Sequence, residues 1–138
     1  WEYASIIGML MYLAANTRPD IAYAVHQAAR HTHHPRASHA LAVKRILRYL
    51  QGTKEGGTIF KPDKSWKVDC YVDSDFAGLY KAEHDQDPVS AKSRTGYVIK
   101  FCNVHILWVS KMQTQIALLT MEAEYIALFQ SMRDLIPI

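Results

Sequence analysis

Cysteine is scarce in this 138-residue chain. Cys70 and Cys102 are its two, too few for a disulfide framework, and both fall in apolar, strand-like runs. That pattern predicts buried, reduced thiols in an intracellular protein. Long apolar runs are missing as well: no stretch approaches the roughly eighteen residues that a membrane span needs. Residues 5–15, SIIGMLMYLAA, have the composition of a signal-peptide core. No basic segment precedes them, and TRPD follows in place of a small-residue cleavage site, so they read as a core helix. Internal repeats and low-complexity tracts are absent. Charge of one sign is in little excess, and a net charge of +3 permits a nucleic-acid partner without demanding one. The chain opens on Trp1 and not on Met, which predicts a piece of a longer polypeptide.

At 49% hydrophobic, what remains is enough for one core and too little for two comfortable domains. The pattern changes near residue 57. Before it the spacing is helical. Residues 3–15 are apolar nearly all round, which predicts a buried helix. Thr17-Arg18-Pro19-Asp20 reads as the start of a second, with Thr as cap and Pro in the first turn, running to about Arg30. Residues 31–37 are a polar connection. Ser38 is placed to cap a third helix with Leu41, Ile46, Leu47 and Leu50 on its apolar face and Gly52 at its end. Beyond residue 57 the period is two: GGTIF, VDCYVD, TGYVIKF and VHILWVS predict three or four antiparallel strands, with a hairpin at residues 103–104. Residues 79–95 read as an exposed loop. The last segment returns to helical spacing, with Met121, Tyr125, Leu128, Met132 and Leu135 in one apolar stripe. The class is therefore α+β.

Two pairs of acids stand out. In YVDSDFAG, Asp73 and Asp75 close a strand with no neutralising base between them. An Asp-Ser-Asp turn satisfied by local backbone bonds explains such a pair; so does a hard divalent cation. Glu122 and Glu124 open the last helix, where acids commonly complement the helix dipole. From the centre of the apolar stripe, Glu124 lies at about 60° and Glu122 at about 100° on the other side. That phase predicts Glu124 near the sheet, close to Asp73, with Asp75 and Glu122 more exposed. A strand acid and a helix acid sharing cations is an arrangement that serves phosphodiester hydrolysis.

YVDSDFAG, SRTGYVIKF and ILWVSKMQTQIALLTMEAEYIAL, with TRPDIAYAV and HALAVKRILRYLQGT upstream, resemble the Pol polyprotein of copia-type LTR retrotransposons. The resemblance spans nearly the whole chain. It implies that residues 1–56 are a helical connection following the reverse transcriptase. Residues 57–138 then resemble the first part of a ribonuclease H-like domain, an antiparallel β-meander followed by a helix. It further implies Mg²⁺-dependent cutting of RNA in RNA–DNA hybrids, with association with the reverse transcriptase or with a second copy. The catalytic and metal-ligating acids of the family fall on Asp73 and Glu124, the latter because Glu-Tyr-Ile-Ala matches the family's Glu-x-x-Ala helix. Asp75 and Glu122 match supporting acids. Ser110, Lys111 and Gln113 match a recurrent S-K-x-Q stretch suited to a nucleic-acid backbone, or to a polar strand end. The family's later strand aspartate and final acid or histidine have no counterpart here, so this chain alone is expected to bind Mg²⁺ weakly and not to cleave.

Other features weigh less. His31, His33, His34 and His39 lack zinc spacing with cysteine, so a solvated loop is expected, with His39 inside the third helix. Lys44, Arg45 and Arg48 form a basic face, either solvated or contacting phosphates. Trp66 and Trp108 read as packing residues. The rival to the enzymatic reading is a truncated or domesticated non-catalytic remnant that binds nucleic acid or protein.

Overall fold

The computed structural model describes residues 2–80 and 88–138. Residues 81–87, part of the expected loop, lie outside the described residues. The chain divides into two compact units, Trp1–Ile59 and Phe60–Ile138.

The first unit is helical: α1 (Tyr3–Asn16), a 3₁₀ turn (Pro19–Ile21), α2 (Ala22–Ala29) and α3 (Ala37–Gly52). α1 buries one face only, through Tyr3, Ile7, Leu10 and Ala14, while Met9 and Tyr12 are exposed. Its apolar circumference therefore does not mean burial all round within this unit. Val25 of α2 and Val43 of α3 are fully buried against that face, and the Tyr3 hydroxyl donates to the Ala28 carbonyl at 2.8 Å. Val43 and Ile46 carry the core side of α3, whereas Leu41 and Leu47 face outward.

The helix ends differ from the sequence expectation. Thr17 closes α1, its N–H donating to the Leu13 carbonyl, and does not cap α2. Arg36, not Ser38, stands before α3, and His39 Nδ1 accepts the Arg36 N–H at 3.1 Å. The TRPD turn is tied to the far end of α3 instead. Arg18 makes a 2.8 Å ion pair with Asp20 and donates to the Thr53 hydroxyl and carbonyl, while the Tyr49 hydroxyl donates to Asp20.

The second unit is a three-stranded antiparallel sheet in the order β1-β2-β3, with β1 Val68–Ser74, β2 Arg94–Phe101 and β3 Val104–Met112. GGTIF forms no strand. β2 and β3 are joined by Cys102-Asn103, with φ of 47° and 64°. Two positive φ values in a two-residue loop make the type I′ turn, whose twist matches that of the strands it joins. The preceding segment holds this turn: Cys102 N–H donates to the Lys67 carbonyl, and its own carbonyl accepts from Asp63 N–H.

Helix α4 (Thr120–Leu135) packs on β1 and β2, but not with the predicted stripe. Its buried residues are Ala123, Ala127 and Ser131, each fully inaccessible, while Met121 and Tyr125 are more than 60% exposed. Small residues four apart let the helix backbone approach Tyr97 and Ile99 closely, and the large residues are turned outward.

Candidate functional site

Alternation along β1 and its register with β2 assign the four carboxylates. Ser74 pairs with Thr95 and Val72 with Tyr97, and these share the face that α4 covers. Asp73 pairs with Gly96, on the other face with Tyr71, and is exposed. Glu124 is also exposed, about 100° round the helix from the fully buried Ala123. Alternation thus turns Asp73 away from the face that α4 covers, while Glu124 stands at the edge of the helix face that meets the sheet. The sequence phase took the large apolar residues as the sheet-facing side, yet Glu124 keeps an angle of about 60° from the centre of the small stripe that does meet the sheet, nearer to it than Glu122.

The two supporting acids have structural work. Asp75 Oδ1 accepts the N–H of Arg94, and Asp75 N–H donates to the Arg94 carbonyl at 3.1 Å. This pair extends the β1–β2 ladder past its last strand residue. A Cβ on Gly78 would lie 2.6 Å from Asp75 Oδ2, so the glycine that ends YVDSDFAG leaves room for that carboxylate. Glu122 Oε2 accepts the N–H of Leu118 at 2.7 Å, fastening the chain that enters α4. Asp75 is only part-exposed, contrary to expectation.

The residues matched to a nucleic-acid contact separate in the same way. Gln113 is 1% exposed. Its Nε2 donates to the Thr95 hydroxyl at 3.2 Å and to the Ala123 carbonyl at 2.9 Å, and its N–H donates to the Ser93 carbonyl. It joins both outer ends of the hairpin to α4 and is not available to a ligand. Ser110 receives the buried Arg94 guanidinium at 3.4 Å through both its hydroxyl and its carbonyl. Lys111 is exposed. Lys44, Arg45 and Arg48 are exposed on α3, as a phosphate-contacting or solvated face requires.

Ser93, Arg94, Thr95 and Gln113 thus make a buried polar junction that sequence reasoning missed. The signal was there in SRT and in S-K-x-Q, polar triplets flanking two strands that need each other. Nearby, the Tyr97 hydroxyl donates to Asp134. Burial, and then that carboxylate, push the Tyr97 phenol far above its ordinary range. In the first unit, the Arg18 hydrogen bond holds Asp20 down at about 2.

Among the described residues, no group of three or more His, Cys, Asp or Glu side chains is arranged to hold a metal ion. His31 stacks on His39 with ring centroids 3.7 Å apart. Trp66, expected to pack, is 81% exposed. No described helix is long and apolar enough to cross a membrane.

The chain is similar to the retrovirus-related Pol polyprotein from transposon TNT 1-94 of Nicotiana tabacum, 41% identical over 97% of this chain and 9% of that protein. It is 40% identical to the Pol polyprotein from transposon RE1 of Arabidopsis thaliana, over 90% of this chain and 8% of that one. It is also 37% identical to the secreted RxLR effector protein 161 of Plasmopara viticola, over 96% of this chain and 87% of that protein. The chain therefore spans less than a tenth of the polyproteins it matches. No family model and no solved structure matches it.

Proposed function

Since this chain belongs to the Pol polyprotein family of copia-type retrotransposons, we propose that it is the segment that ends the reverse transcriptase connection and begins a ribonuclease H-like domain. The observation that carries the reading is the meander β1-β2-β3 followed by α4, with Asp73 at the end of the first strand and Glu124 just past the first turn of the helix. The complete polyprotein would cut RNA in RNA–DNA hybrids with Mg²⁺.

The donors in this segment do not by themselves fit a pair of divalent cations. Asp75 and Glu122 are engaged with backbone N–H groups, and among the described residues no group of three or more acids, His or Cys is gathered around Asp73 and Glu124. Two cations about 3.5–4 Å apart repel each other strongly and need several anionic ligands to hold them. The role left to this chain is to supply the sheet and helix on which further acids of the polyprotein complete the set, with Lys44, Arg45, Arg48 and Lys111 meeting phosphates.

The test compares the 138-residue chain with a polyprotein extended downstream, on a labelled hybrid with Mg²⁺ or Mn²⁺. The extended protein should cleave, Asp73→Asn and Glu124→Gln should each abolish cleavage, and the chain alone should be silent. Unimpaired cleavage by both variants would refute the assignment. A second reading, a non-catalytic binding module, is favoured by the near-complete span of the Plasmopara viticola relative. It predicts hybrid binding without cleavage in either form.

A further inference from the structure

Helix α4 presents its larger apolar side chains to the outside. Met121, Tyr125, Leu128 and Met132 are 61%, 64%, 48% and 39% exposed, on the side opposite the sheet-facing Ala123 and Ala127. Their spacing of four, three and four is the a/d seam of a helix pair, not the broader stripe of a helix packed on a sheet. Beside the seam runs a groove of about 500 Å³, lined by Leu119, Met121, Tyr125 and Phe129. Glu122 lies at its amino end and Arg133 at its carboxyl end.

We propose that this seam binds a second copy of the same chain, α4 against α4, antiparallel about a twofold axis. Charge selects the orientation. An antiparallel copy sets Glu122 of each helix toward the end that carries Arg133 of the other, whereas a parallel copy sets like charges side by side. Antiparallel packing also opposes the two helix dipoles favourably. The exposed apolar area of these side chains is roughly 500 Å² per copy, below the ~800 Å² per partner of a standard interface. An area at the small end of specific interfaces predicts a weak, concentration-dependent dimer.

Sedimentation of the 138-residue chain from about 1 to 200 µM tests it, with the concentration range set by that expectation. The wild type should pass from monomer to dimer across the range. Leu128→Glu should stay monomeric with unchanged far-UV circular dichroism. Arg133→Glu should weaken association about tenfold, and Glu122→Lys combined with Arg133→Glu should restore it, as expected for two symmetry-related rim charge pairs that together contribute about 1.4 kcal/mol. Arg133 is exposed, so its variants remain informative if Leu128→Glu fails to fold. A monomer at 200 µM, a dimer indifferent to all these variants, or a monomer that instead binds neutral lipid vesicles through the seam would overturn the proposal.

Discussion

Replacing Gln113 by Glu changes one atom's chemistry at a buried side chain that ties β2 to α4. The amide Nε2 that donates to Ala123 O and Thr95 Oγ1 becomes an oxygen facing the helix carbonyl at 2.9 Å. Two hydrogen bonds worth about 1 kcal/mol each are lost. An ionised carboxylate at 1% exposure adds a desolvation cost that the group escapes by protonating. If its pKa rises from about 4.3 to about 7 in the folded state, the folded form binds more protons than the unfolded one between those values. Stability then falls as pH rises through that window, by about 4 kcal/mol in all. Gln113→Leu is the control. It loses the same two bonds but removes the buried Oε1, which has no partner among the described residues, so its cost should be about 1 kcal/mol and flat with pH. Hydrogen exchange of the β2 amides at pH 5 and pH 7.5 isolates the second unit from the first. Should the Glu variant match the Leu variant at both pH values, Gln113 does not hold the sheet to α4 as described.

Two further outcomes follow from the geometry. Asp20 is held at about 2 by Arg18, below its ordinary 3.8, so its contribution is present above pH 4 and lost as pH falls toward 2. At 37% side-chain exposure, solvent screening limits this to under about 1 kcal/mol; thermal melts at pH 5 and pH 2.5 should show the component in the wild type and not in Asp20→Asn. At the hairpin, Asn103 has a φ of 64°, so Asn103→Gly should raise the melting temperature by about 1–2 °C and Asn103→Val should lower it by more.

The helices and the meander are legible in the sequence because their signals are local. Period two in TGYVIKF and VHILWVS is visible within each strand, and a two-residue connection leaves little choice of topology. The face of α4 is not local. Both Met121-Tyr125-Leu128-Met132 and Ala123-Ala127-Ser131 keep helical spacing, and apolarity alone favours the former. Which one meets the sheet depends on the close approach of the helix backbone to Tyr97, which no α4 residue announces. The choice leaves Glu124 where it was, since it lies between the two stripes, about 60° from the centre of each. Gln113 was misplaced for a related reason: a polar residue at a strand end normally meets water, and its buried partners Thr95 and Ala123 are distant in sequence.

The hairpin has a kinetic meaning. β2 and β3 are joined by two residues, 102–103, whereas β1 and β2 are separated by the nineteen residues 75–93. Closing the longer connection costs about 2 kcal/mol more chain entropy. The β2–β3 pair can therefore form in microseconds as a nucleus, with β1 docking afterwards on a template already in register. Because β1 carries Asp73, the strand acid takes its place only in that later step, and in the reverse direction it leaves first. Nuclease competence, if the polyprotein has it, would then be lost on partial unfolding while most of the sheet still stands.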